Sequence, residues 1–398
     1  MKGVTGAVRR TKKEAVPAKK TKLVKVERRK PAPAARTVRR RSALPVSPRL
    51  ARHEDNPILE PKPESEWESR AVFNPAAIFD GGRVHLAYRA IGDDDRSVLG
   101  HAASADGFSF NDRSAEPMYA GRQDFEGAAR RPVDRVAPVL YDSGGGGWGG
   151  VEDPRLTRLG GRVYMTYTAY DGWHPPRVAM TSISREDFLA GRWNWQRSVP
   201  ISPPGQIHKN WVIFPEKING KYAILHCLTP EMQVAYFDRL EDLDGTRFIK
   251  SDFCQVERKG GGWDRIIRGS GPPPIKTAYG WLLLYHAMDG REPRQYLLGA
   301  MLLDIKDPTK ILARAKKPIL RPAEFYENEG YKGGVIYACG AVVKDGKLIV
   351  YYGGADTRIC AASAPLDDFL KRLMAGSTLK LAPESLRGAA KRRGHAHG

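Results

Sequence analysis

A tight turn followed by an alternating strand occurs five times in this chain, and no other feature limits its fold so strongly. The copies are GGRVHLAYRAIGDD from Gly81, GGRVYMTYTAYDG from Gly160, NGKYAILHC from Asn219, YGWLLLYHAMDG from Tyr279 and DGKLIVYYGGADT from Asp345. Gly82, Gly161, Gly220, Gly280 and Gly346 thus recur every 59–79 residues, room for one four-stranded antiparallel sheet and its loops. Gly-Gly, Asn-Gly and Asp-Gly supply the positive φ of a tight hairpin, and the residues after them alternate as a half-buried strand does, with Val163, Met165 and Tyr167 on one face. The expectation is an all-β chain, a five-bladed β-propeller, with a β-sandwich as the alternative. Helices are expected only at 184–191, with Ser184 as N-cap, and at 364–376, where the apolar spacing is near 3.6.

Where such repeats end in polar residues, those residues converge. Arg89, Tyr170 with Asp171, His226, His286 with Asp289, and Asp356 close the five copies and form the first set of site candidates. The charge lies elsewhere. The net +20 of the 398 residues comes from the ends: residues 1–52 hold eighteen Lys/Arg against Glu14 and Glu27, and 387–398 add four more. The chain is accordingly expected to divide into a disordered Lys/Arg/Pro/Ala-rich arm (1–52), a five-bladed β-propeller domain (53–376) and a C-terminal extension with a basic tail (377–398). The arm would attract polyanions, nucleic acid included, in a salt-sensitive and sequence-indifferent way.

No apolar run approaches the eighteen residues a membrane span needs, and the arm lacks the apolar core of a secretory signal. Cys227, Cys254, Cys339 and Cys360 lie far apart and read as reduced thiols, so a cytoplasmic location is expected. No H-E-x-x-H, zinc ribbon, P-loop or G-x-S-x-G occurs, and neither a metal nor an organic cofactor is called for.

Seven segments in order carry a resemblance: FNPAAIF (73–79), AYRAIGDD (87–94), GVEDPRL (150–156), TAYDG (168–172), FPEKINGKY (214–222), GSGPPPIKTAYGWLLLYH (269–286) and YYGGADT (351–357). From about Asn74 to Asp367 the chain resembles glycoside hydrolase family 130, the mannoside phosphorylases and related mannosidases, which are five-bladed propellers. The resemblance implies that Asp153 is the general acid, acting through a sugar hydroxyl, and that Asn74, Arg89 and Asp356 bind the sugar whose bond is cleaved. Pro154 is expected to keep Asp153 extended, and Gly149–Gly150 to let the loop approach a ligand. Tyr170, Trp173 and Trp211 are candidate platforms for sugar rings.

Phosphorolysis needs a cationic cradle for phosphate, whereas inverting hydrolysis needs a second carboxylate. The family implies three cradle cations. Here Lys209, followed by Asn210, stands at the first place, and Cys227 stands where an arginine is expected. At the third, Ile267 aligns and Arg268 is one residue off, which on a regular strand points to the other face. The main reading is phosphorolysis of an oligosaccharide β-mannoside, with inorganic phosphate held by Lys209, Asn210 and Arg268. The alternatives are an inverting hydrolase using Glu231 or Asp264 as base, and a non-catalytic carbohydrate- or polyanion-binding protein.

Overall fold

The computed structural model describes residues 47–128, 144–251 and 262–377; most of the basic arm and nearly all of the basic tail lie outside them. A two-residue strand, β1 (Ala51–Arg52), is followed by five groups of antiparallel strands. The first group is β2 (Ala71–Asp80), β3 (Arg83–Ile91), β4 (Ser97–Ser104) and β5 (Asp112–Arg113). The second is β6 (Gly150–Leu159), β7 (Arg162–Tyr170), β8 (Arg177–Ser184) and, after helix α1 (Arg185–Leu189), β9 (Val199–Pro200). The third is β10 (Val212–Ile213), β11 (Tyr222–Cys227) and β12 (Gln233–Phe237). The fourth is β13 (Ile266–Ser270), β14 (Ile275–Thr277), β15 (Gly280–Asp289), β16 (Glu292–Leu303) and β17 (Ile311–Arg314). After α2 (Phe325–Asn328) come β18 (Ile336–Lys344), β19 (Lys347–Gly354), β20 (Arg358–Pro365) and helix α3 (Leu366–Gly376).

The five repeated strands are β3, β7, β11, β15 and β19, each paired antiparallel to the strand that opens its group. Their turns follow from local chemistry. Gly81–Gly82, Asn219–Gly220 and Asp345–Gly346 all have positive φ at both residues, as a hairpin turn of the primed type requires. Ser184 caps α1 by accepting a 3.0 Å hydrogen bond from the Asp187 N–H, and α3 falls within the second expected helix.

Five apolar cores lie between groups rather than within them. Met165 and Ala87 share one between the first and second, Trp211 and Ile224 join one with Val178 between second and third, and Phe214 packs with Leu283 between third and fourth. Leu284 and Val350 join the fourth to the fifth, and Tyr351 and Leu86 join the fifth back to the first. Each large side chain so buried contributes about 1.5–3 kcal/mol, so a group is stable only with both neighbours. The strand ladders of the first two groups meet at a single parallel bridge, Ser97 to Gly150, and side chains add to it, among them Arg185, which donates to both carboxylate oxygens of Asp80 at 2.7 and 2.8 Å.

The boundary at residue 52 falls inside the fold. β1 pairs with β20 (Ala51 opposite Ser363), Leu50 is buried in the core between the fourth and fifth groups, and Arg52 reaches the buried Glu327 at 2.8 Å. The cysteines also depart from expectation. Cys339 and Cys360 are free and buried, but Cys227 is disulfide-bonded. No helix among the described residues is long and apolar enough to cross a membrane.

Candidate active site

Four of the groups open on a strand whose ladder is interrupted: between Phe73 and Ala76, Glu152 and Arg155, Ile267 and Gly269, and Ala338 and Gly340. Such a bulge takes residues off the two-residue alternation and re-aims them. Asn74 and Asp153 sit in the first two, both at φ 47, and Asn210 precedes β10 at φ 66. Asp153 is therefore not extended before Pro154. Asn and Asp tolerate the left-handed region that most residues avoid, which is why these types occupy the bulges. The interruption at Ile267 also settles the register in β13. Ile267 points into the apolar core with Leu283, and Arg268, the extra residue, lines the cleft.

The cleft holds about 290 Å³ and is lined by Asn74, Asp153, Lys209, Asn210, Arg268 and Asp356, six residues expected in the site, brought together from all five groups or the segments leading into them. Lys332, Tyr296 and Tyr337 also line it, without having been foreseen. Asn74 donates its amide to Asp153 Oδ1 at 2.8 Å. Behind them Arg89, 1% exposed, donates to Ser97 Oγ, to the carbonyls of Gly144 and Gly146, and to Glu152 Oε1 at 3.2 Å, and approaches Asp153 Oδ1 at 3.5 Å. Arg89 is thus a support beneath the acid rather than a lining group. Arg155, in the same motif as Asp153, donates to the Asp153 carbonyl at 2.6 Å, to Asn210 Oδ1 at 2.8 Å and to the carbonyls of Ser270 and Gly271. It stitches three groups under the cleft floor. Asn210 is committed to that floor: its oxygen accepts also from Tyr337 at 2.6 Å, and its amide donates to the Arg268 carbonyl at 2.9 Å.

Burial alone would push the Asp153 carboxyl up, but Arg89, Arg155 and Lys209 outweigh it and hold the group below the usual carboxylate range. Asp356 behaves oppositely. Burial and the charge of Asp153 push it up to about 6, against the pull of Lys332 and Arg89. Between the ordinary aspartate value and about pH 6 the folded protein keeps that proton while the unfolded chain has released it, so stability falls as pH rises across this window. Asp356→Asn is expected to remove the fall, measured by urea unfolding at pH 4 and pH 6.5; an undiminished fall would assign it to another group. His226, beside the cleft, is lowered to about 4 by burial and then by His208, and is neutral.

Several expected residues stand apart. Tyr170 is buried in β7 and does not line the cleft, and Trp211 is in the core between the second and third groups. Asp171 closes a turn, accepting from the Trp173 and His174 N–H groups at 2.8 Å and meeting His174 Nδ1 at 2.6 Å. Trp173 is exposed outside the cleft. Glu231 is exposed away from the cleft, and Asp264 is buried against the Tyr285 hydroxyl (2.7 Å) and Arg314. Neither alternative base is in place. Gly150, at φ 114, serves the strands and not a ligand, since a Cβ there would lie 2.2 Å from the Ser97 carbonyl.

Comparison with known proteins agrees with this geometry. The profile of glycoside hydrolase family 130, described as β-1,4-mannooligosaccharide phosphorylase, matches residues 38–374. A 1,2-β-oligomannan phosphorylase of Thermoanaerobacter sp. (strain X514) is 37% identical over 80% of this chain and 98% of its own length. A β-1,2-mannobiose phosphorylase of the same organism is 36% identical over 79% and 96%. The solved β-1,2-mannobiose phosphorylase of Listeria innocua, in complex with β-1,2-mannobiose, superposes with a TM-score of 0.62 at 25% identity, over 81% of this chain and 99% of its own. With the profile spanning the five strand groups and relatives matched over almost their whole length, this chain belongs to glycoside hydrolase family 130.

Proposed function

We propose that the chain cleaves β-mannosides by phosphorolysis with inversion, releasing α-mannose 1-phosphate, and that β-1,2-linked mannobiose and oligomannan are its first substrates. One observation carries the reading: Asp153 shares its cleft with Lys209 and Arg268, while Glu231 and Asp264, the candidate bases of a hydrolase, lie elsewhere. The choice of linkage rests on the two relatives named above, both described as acting on β-1,2-mannosides. The fold we propose is the five-bladed propeller, supported by the five cores that join each group to the next and the last to the first.

In this mechanism a phosphate oxygen attacks the anomeric carbon from the face opposite the leaving sugar. The glycosidic C–O bond breaks, and the leaving oxygen takes a proton supplied by Asp153 through a mannose hydroxyl. In the free site the neighbouring cations hold Asp153 ionised. A phosphate settling beside Lys209 offsets part of that positive field, and a bound mannoside excludes water from the carboxyl; both favour the neutral acid. Asn74 orients Asp153, and Asp356 binds hydroxyls of the sugar being transferred. Hydrolysis in this cleft would have to use Asp356 as base, because it is the other carboxyl among the described lining residues.

The test incubates β-1,2- and β-1,4-mannobiose with and without inorganic phosphate. Mannose 1-phosphate formed only when phosphate is present, and faster from the β-1,2 isomer, is the expected result. Free mannose released at the same rate without phosphate would overturn the proposal.

A further inference from the structure

The three cations lining the cleft are held differently. Lys209 Nζ faces Glu152 Oε2 at 3.9 Å. Arg268 and Lys332, by contrast, have no carboxylate within 4.0 Å among the described residues. Both lie over the ring of Tyr296, with the guanidinium carbon 5.8 Å and the ammonium 5.2 Å from its centroid. Lys332 is fixed at its backbone as well, donating its N–H to the Ala355 carbonyl at 3.0 Å, one residue before Asp356. Two partly buried cations that face one cleft without an ion-pair partner within 4.0 Å repel each other; Asp356, on the same cleft, pulls on Lys332 only from beyond that distance, and an aromatic face offsets little of the cost. An anion between them removes it.

Meanwhile the place after His226, where the resemblance implies a cradle arginine, holds Cys227, an uncharged residue in the small recess adjoining the cleft. We infer that Lys332 is a phosphate ligand of this chain and replaces that arginine, closing with Lys209 and Arg268 a three-cation cradle in which Tyr296 spaces Arg268 and Lys332. The inference rests on the phosphorolysis proposed above and adds to it a residue from the loop after α2, outside all seven motif segments. A neutral sugar hydroxyl would use one cation at most, whereas a phosphate dianion presents oxygens enough for all three.

The experiment measures initial rates of mannobiose phosphorolysis for wild type, Lys332→Met and Lys332→Arg, varying phosphate and mannobiose separately. It also measures the rise in melting temperature that phosphate alone produces. Lys332→Met is expected to raise the KM for phosphate at least about 10-fold, the effect of losing one charge-assisted contact, and to leave the KM for mannobiose within about twofold. The phosphate-induced thermal shift should shrink with it, and Lys332→Arg should restore most of both. An unchanged phosphate KM in Lys332→Met, or a change in the mannobiose KM instead, overturns the assignment. If the Met variant does not fold, Lys332→Gln is read by the same criteria. A wild-type enzyme that binds phosphate but turns over equally well without it overturns the proposed reaction, a result separable from the failure of Lys332 alone.

Discussion

Asp153→Asn lowers kcat for mannobiose phosphorolysis by about 10²–10⁴-fold, the contribution of a positioned general acid, and leaves the fold intact. The replacement keeps shape and keeps an oxygen to accept from the Asn74 amide, which lies 2.8 Å from Oδ1. What it removes is the transferable proton. Because Glu152 still faces Arg89 at 3.2 Å, the buried guanidinium retains a counter-charge, and the melting temperature should move by only a few degrees. The KM values for phosphate and mannobiose should change far less than kcat, since the lost interaction belongs to the transition state. Wild-type turnover by Asp153→Asn would remove the central assignment, and global unfolding of the variant would show that the carboxylate is first of all structural.

Arg89→Met is the second large effect, and it falls on stability as well as on rate. Arg89 compensates both Glu152 and Asp153 and clamps the carbonyls of Gly144 and Gly146 at 3.0 and 2.7 Å. Removing one partner of a buried ionic cluster destabilises by about 3–5 kcal/mol, because the surviving charges are left in a poorly solvated place. The pH dependence identifies the cause. Without the guanidinium the two carboxyls shift upward, so the folded variant holds protons that its unfolded chain has lost, and its deficit against wild type shrinks as pH falls from 7 toward 5. Denaturant unfolding at both pH values checks this; a deficit independent of pH would point to lost packing on Phe73, whose ring centroid lies 4.8 Å from the guanidinium carbon, as the main effect.

Much of the architecture was legible because its signals are local. Turn dipeptides and alternation located β3, β7, β11, β15 and β19, and Ser184 marked the start of α1. The strands that open the groups were harder, since a bulge has no composition of its own: Asn74, Asp153 and Arg268 were picked out by motif, but their departure from the ladder was not predicted. Asp171 misled for an instructive reason. It ends its repeat where Asp356 ends another, yet a Trp-His pair follows and closes a turn on it. Asp264 near Tyr285 and Arg314, and Lys332 near Tyr296, depend on side chains brought together from distant segments, and no spacing in the sequence announces such neighbours.

The pairing of Ala51 with Ser363 also governs when folding can finish. β1 is synthesised before any other described strand and its partner β20 after all the others, so the fifth group has no complete sheet until the last described strand has emerged from the ribosome. The earlier groups can collapse against one another during synthesis, but the seam waits for the last. A nascent or prematurely terminated product therefore carries the unpaired edges of both β1 and, once made, β20, which are templates for association with other chains. Chaperone demand and aggregation should consequently concentrate in this final interval, and the rate of seam closure, set by a contact between the two ends of the folded region, should limit the appearance of active enzyme.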